Sequence, residues 1–283
     1  LAGAVAEMVV VIMCLSPSGR DHIAGCQRRR AGRPLRNGGG DRQAGFEAIL
    51  MKAVTGPGTG KPGVAFALQR RQLSLRLDGG GIRRIAVITP FFIACTQDSL
   101  VRHFSTVADA VKTPIYLYDI PARTQNHIEP ETARKLAAHG NIVGIKDSGG
   151  AKETLEAYLA VSRDMPGFDV YSGPDHLVLW ALQNGAAGCI SGLGNTLPDV
   201  LAGILKGYNG GDLAEAERQQ AIFTAFRTDL YALGFAPAMV KRALFLQDSS
   251  VGASRQPALL PDPEQDAKIA DILRRFGLSV QSH

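Results

Sequence analysis

Asn141-Ile142-Val143-Gly144-Ile145-Lys146-Asp147-Ser148-Gly149-Gly150 ends a short apolar run on a lysine and follows it with a small-residue loop. Earlier in the chain, Pro114-Ile115-Tyr116-Leu117-Tyr118-Asp119-Ile120-Pro121 ends a similar run on a tyrosine. Each reads as a strand passing into a loop. An α/β barrel carries its chemistry at that junction, because the C-terminal strand ends face the mouth of the site. A lysine walled by apolar side chains there gives up its proton more readily, and a neutral amine can attack a ketone. A tyrosine hydroxyl on a neighbouring strand end can carry the protons that imine formation needs.

The same pattern repeats outward from this pair. Apolar β-rich runs stand at Ile85–Thr89, Ile115–Tyr118, Ile142–Lys146, Phe168–Ser172 and Gly188–Ser191. Amphipathic helical stretches separate them at Gln97–Val111, Glu129–His139, Lys152–Arg163 and Asp175–Asn184. Strands alternating with helices imply βαβ units and a parallel sheet. Thr96 with Asp98 and Ser99 just inside, and Pro130 at an early position, mark helix starts. Further helices follow at Leu197–Tyr208, Asp212–Ala232, Pro237–Leu246 and Pro263–Phe276. The expected fold is α/β, a (β/α)8 TIM-type barrel with extra C-terminal helices and its first three βα units poorly represented or missing. Alternation along Ile142–Lys146 places Ile142, Gly144 and Lys146 inside the barrel, with room for substrate at Gly144, and turns Val143 and Ile145 to the helices.

At 283 residues and 45% hydrophobic, the chain is long enough for one barrel, which takes roughly 250 residues. Its net charge of +5 is unevenly spread: residues 1–84 hold 12 Arg and 2 Lys against 5 acidic residues, the remainder 17 basic against 21 acidic. Three regions follow: 1–84, an atypical basic Gly/Arg-rich segment; 85–196, the barrel units with the lysine; and 197–283, a helical region. Met8–Met13 and Val64–Leu68 are the strand candidates within 1–84. The favoured reading of that segment is translation from a shifted frame of a GC-rich gene; the rival is a genuine basic extension. Its arginines at 28–36 lack aromatic interleaving or a recognition helix, so nucleic acid is not expected as a partner. The apolar run Met8–Leu15 is too short to span a bilayer. Cys14, Cys26, Cys95 and Cys189 show no metal-like spacing and read as free thiols of a cytoplasmic protein. Thr55-Gly56-Pro57-Gly58-Thr59-Gly60-Lys61-Pro62 fails as a phosphate-binding loop, with Thr55 for the first glycine and Pro62 for the metal-binding hydroxyl.

Taken together, Thr89-Pro90-Phe91-Phe92, the Y-x-I-P-x-R-T segment Tyr118–Thr124, the G-I-K-D-S segment Gly144–Ser148, Ser172-Gly173-Pro174-Asp175 and Gly188-Cys189-Ile190-Ser191 resemble the pyruvate-dependent class I aldolases, the dihydrodipicolinate synthase/N-acetylneuraminate lyase family. The likeness runs from about Ile85 to Leu278. It implies that Lys146 forms a Schiff base with pyruvate or a related 2-oxo acid, and that Tyr118 is the general acid/base. It implies further that Arg123 binds the carboxylate of a second substrate, that the Ile190 carbonyl orients the bound molecule, and that Gly173 and Asp175 contact substrate hydroxyls. The reaction implied is aldol-type C–C bond cleavage or condensation, an aldehyde being the second partner, without metal or organic cofactor, in a cytoplasmic homotetramer.

Three departures from the family stand out. Its G-(S/T)-T-G-E carboxylate cradle and its first-strand T-P-F motif are not found in residues 1–84, and Phe92 stands where many synthases place a relay tyrosine. The alternative reading is a catalytically impaired or truncated member that binds 2-oxo acids. The Asp147-Ser148 pair is more similar to the sugar-acid and hydroxy-oxoglutarate aldolase members.

Overall fold

The computed structural model describes residues 84–254 and 257–281. Readings that fall on residues 1–83, including the two strand candidates and the missing cradle, lie outside the described residues. Five parallel strands, β1 (Ile85–Ile88), β2 (Ile115–Asp119), β3 (Ile142–Asp147), β4 (Asp169–Ser172) and β5 (Gly188–Cys189), lie side by side in chain order. The helices between them are α1 (Gln97–Ala110), the short α2 (Pro121–Thr124), α3 (Pro130–Ala137), α4 (Lys152–Asp164) and α5 (Val178–Gln183). Beyond β5 come α6 (Pro198–Gly210), α7 (Leu213–Tyr231), α8 (Ala236–Gln247) and α9 (Pro263–Arg275).

Local chemistry sets these boundaries. The Thr96 side chain accepts from the Ser99 amide at 3.2 Å and starts α1, meeting one of the donors that a helix N-terminus leaves unpaired. Pro121 and Pro130 open α2 and α3, where a missing N–H costs nothing. The stretch expected as one helix over Asp175–Asn184 is split into a 3₁₀ turn, Asp175–Leu177, followed by α5. The last strand is two residues, shorter than the Gly188–Ser191 run suggests.

Strand register sorts side chains into rows. Val87, Leu117, Ile145 and Val170 are paired across β1 to β4 and all belong to one buried apolar cluster with Leu100, Phe104, Leu155 and Leu159 from α1 and α4. Each such aliphatic side chain contributes about 1.5–3 kcal/mol on burial. One residue further along, Ile88, Tyr118, Lys146 and Tyr171 are paired on the opposite face. The row after that, Asp119, Asp147 and Ser172, returns to the helix side.

Two expectations about β3 are corrected. Ile115 registers with Ile142 but Tyr116 with Gly144, so Val143 is an extra residue. This bulge turns Ile142 to the helix side beside Ile115 and Ile145, all in the same cluster, because one added residue reverses the alternation upstream of it. Gly144 does face away from the helices, yet it leaves no vacant room. A Cβ there would stand 2.5 Å from the Tyr116 ring and 2.3 Å from the Asp169 carbonyl. The glycine admits a tyrosine.

The chain divides into two compact units, with the division between Arg227 and Thr228 inside α7. In the second, α8 and α9 bury Ala243, Leu246, Ile269 and Leu273, and Arg242 pairs with Asp266 through Nε to Oδ1 at 2.7 Å and through Nη2 to Oδ2. Asp262 and Gln265 form a reciprocal capping box at the start of α9. No helix of the described residues is long and apolar enough to cross a membrane.

Candidate active site

Lys146 and Tyr118 are paired across β2 and β3, each the penultimate residue of its strand. Lys146 is 8% exposed, and its Nζ lies 4.2 Å from the centroid of the Tyr118 ring. An amine so placed is short of water and held against the π face of the residue expected to move protons for it. The next residue of that row, Tyr171, tilts away and meets Tyr116 edge to face, with ring centroids 5.5 Å apart.

The other expected residues lie on segments that leave the same strand ends. Arg123 is in α2, directly after β2, and is exposed. Gly173 follows β4 and donates its amide to the Asp147 carbonyl at 2.6 Å. A Cβ on Gly173 would sit 2.2 Å from Ser148 Oγ, so this position packs β4 against the loop behind Lys146. Asp175 is buried and accepts a hydrogen bond from Ser191 Oγ, which itself accepts from the Gly194 amide at 2.8 Å. Ile190 is buried just past β5, its amide bound to the Ser172 carbonyl at 2.8 Å. Cys189 stands between these groups electrostatically. Burial pushes its thiol up to about 12, the Asp175 charge adds to the rise, and the Lys146 charge opposes it.

Two arrangements here escaped the sequence reading. The buried Asn126 donates to the Pro90 and Ile93 carbonyls at 2.8 and 2.9 Å and accepts from the Cys95 amide at 2.7 Å. It thereby clamps a loop on which Phe92 is 88% exposed with φ at +77°, a conformation a bulky side chain seldom adopts.

The second is a polar group on the helix side of β2 and β3. Asp119 accepts from His127 Nδ1 at 2.7 Å, the Ile128 amide at 3.1 Å and the Tyr158 hydroxyl of α4 at 3.0 Å. Asp147, its partner across the strands, accepts from the Gly149 amide at 2.7 Å, while its Oδ2 is buried with no hydrogen-bond partner. Burial drives the Asp147 carboxyl up to about 6; the Gly149 bond pulls the other way, the Asp119 charge adds to the rise and His127 opposes it. The Asp119 hydrogen bond raises His127 above its ordinary value, against burial and with help from Asp119, Asp147 and Glu129 charges. The signal was present in the sequence as an aspartate directly after each of Tyr118 and Lys146. Among the described residues no three His, Cys, Asp or Glu side chains gather as a metal site would require.

Comparison with known proteins identifies the family and the fold. A model of the dihydrodipicolinate synthetase family matches residues 58–276, a span that begins ahead of Ile85. The 4-hydroxy-tetrahydrodipicolinate synthase of Geobacter sulfurreducens is 32% identical over 233 residues, covering 82% of this chain and 78% of that protein. Among solved structures, YagE, a prophage protein of the dihydrodipicolinic acid synthase family from E. coli K12 in complex with pyruvate, superimposes with a TM-score of 0.70 at 29% identity, covering 75% of this chain and 72% of that one. KD(P)GA from T. tenax does so with a TM-score of 0.67 at 25% identity, covering 75% and 72%. The fold is therefore the α/β barrel of these proteins, carrying additional C-terminal helices.

Proposed function

We infer that this chain, which belongs to the dihydrodipicolinate synthetase family, is a lyase or synthase that works through an imine on Lys146. Its substrate is pyruvate or a related 2-oxo acid, and the reaction is aldol-type cleavage or condensation. The observation that carries this reading is the buried Lys146 amine 4.2 Å from the Tyr118 ring centroid, on paired strand ends. YagE, in complex with pyruvate, supports the choice of a 2-oxo acid.

The chemistry follows from the residues. The Lys146 amine attacks the keto carbon, water leaves, and the protonated imine becomes an electron sink for the adjacent carbon. Tyr118, on the next strand, carries a proton to or from the oxygen that departs or attacks. Arg123, in the short helix directly after β2, takes the carboxylate of the second substrate, a role that a bidentate guanidinium suits. Gly173, Asp175 and the Ile190 carbonyl border the same end of the sheet and orient the bound acid. Asp175, buried and bonded to Ser191, suits recognition of a substrate hydroxyl, which favours a sugar-acid or hydroxy-acid partner for the aldol step. Family likeness supports a homotetramer as the assembled form.

Incubation of the intact chain with pyruvate and borohydride is expected to leave a reduced adduct on Lys146, located by peptide mass spectrometry. An adduct on a different lysine, or none on folded protein, overturns the assignment.

A further inference from the structure

Directly after Tyr118 and Lys146, on the opposite face of the sheet, stand the paired and fully buried Asp119 and Asp147. We propose that Asp119, His127 and Asp147 are positioning residues for Lys146 and Tyr118: with His127 protonated they hold the ends of β2 and β3 together, and loss of that proton leaves two carboxylates facing each other and spreads the ends apart. This rests on the reading of Lys146 and Tyr118 as the reacting pair.

The geometry supports it from several sides. Neighbouring strands are about 4.8 Å apart, so like charges on a registered buried pair repel strongly. Asp119 has three donors; Asp147 has one, and its second oxygen has none. The groups facing this pair are known from each element packed on it. They are His127 and, beyond it, Glu129 from the segment entering α3, Tyr158 from α4, and Ser172 from β4. Tyr158 and Ser172 carry no charge at neutral pH, so among these described groups His127 is the cation that can offset both carboxylates. Its side chain is 39% exposed, which leaves it open to exchange protons with solvent. The same backbone that holds the carboxylates holds the strand ends: the Ser148 amide donates to the Asp119 carbonyl at 2.8 Å, and the Gly173 amide to the Asp147 carbonyl at 2.6 Å. A small displacement there moves Lys146 and Tyr118, and misplacement by about 1 Å can lower a rate about a hundredfold.

A second-site test separates this from a merely structural role. Lys146 is read in two ways at pH 7.5: by pyruvate trapping with borohydride, and by reductive methylation with formaldehyde and cyanoborohydride relative to the exposed Lys112. Methylation needs no 2-oxo acid. His127→Gln is expected to lower pyruvate trapping about tenfold or more and, by opening the strand ends around the buried Lys146, to raise its methylation relative to Lys112. Adding Asp147→Asn is expected to bring both back to within about threefold of the parent, because the uncompensated charge is gone. An unchanged signal in His127→Gln, or a double variant as impaired as the single one, overturns the proposal. If His127→Gln fails to fold, the parent chain serves: its Lys146 to Lys112 methylation ratio is expected to rise as pH passes upward through the His127 ring midpoint followed by NMR, and a ratio that does not change across that midpoint overturns it. A parent chain that methylates as expected but never traps pyruvate sinks the imine chemistry and leaves the positioning intact.

Discussion

The sheet carries a polar cluster at each end, and the two are built differently. At the N-terminal end, Tyr116 donates to Asp169 at 2.9 Å and accepts from Arg84 at 3.2 Å, with the Arg84 guanidinium 5.8 Å from the Tyr116 ring centroid. The tyrosine hydroxyl there stands between a carboxylate and an arginine, whose charge cannot be titrated away in the working pH range. At the C-terminal end, Asp119 and Asp147 share one histidine, and an oxygen of Asp147 is left without a partner. The first cluster includes a cation that persists at any ordinary pH, whereas the cation of the second depends on a proton. That contrast matches the division of labour in barrels, where one end is stability and the other is chemistry.

The largest effect that would break this contrast is functional. Lys146→Met is expected to abolish the borohydride adduct and reduce turnover by about 10³-fold or more, with an unchanged thermal melt. Residual turnover near the parent level would move the chemistry elsewhere. Next comes Asp119→Ala. It strips the acceptor from His127, the Ile128 amide and Tyr158 at once, and removing one partner of such a buried group costs about 3–5 kcal/mol. At about 2–4 °C per kcal/mol, calorimetry should show Tm lower by about 10 °C.

The βα alternation and the Lys146–Tyr118 pair were legible because each rests on local signals, an apolar run ending at a polar residue before a loop. What was not legible depended on register. The bulge at Val143 follows from how β2 and β3 pair, and no property of Val143 itself announces it. Gly144 was read as room for substrate, since the sequence cannot show that the Tyr116 ring occupies the space. The Asp119–Asp147 pair was missed for the same reason. An acid after a strand looks like a solvated loop residue until the neighbouring strand brings a second one beside it. His127 gained a role only when the chain folded it onto Asp119.

A sharper measure of the contrast is pH. The Asp147 carboxyl sits at about 6 in the fold against an ordinary 3.8, so the folded state binds its proton more tightly than the unfolded chain does. Its contribution is fully present below the unfolded value and is lost as pH rises through about 6. The two-unit rise corresponds to roughly 3 kcal/mol at about 1.36 kcal/mol per unit. Asp147→Asn should therefore remove this loss: between pH 5 and pH 8, where about half of it falls, the variant's unfolding free energy, from denaturant melts, should decline less than the parent's by about 1.4 kcal/mol. Parallel pH profiles for the two chains would show that Asp147 carries no such charge.

The smallest effect belongs at the other end. Tyr116→Phe keeps the ring that Gly144 accommodates and removes only the hydroxyl between Arg84 and Asp169. Deleting one partner of such a bond costs about 1 kcal/mol, a Tm change of a few degrees. Because the arginine's charge persists, the cost should be the same at pH 6 and pH 8, and pyruvate trapping on Lys146 should stay within about threefold of the parent, no reacting group having moved. A Tyr116→Phe chain whose stability loss varied with pH, or whose trapping collapsed, would mean that the two ends of the sheet are coupled through the Tyr116–Tyr171 contact, and that the N-terminal cluster helps set the position of Lys146 after all.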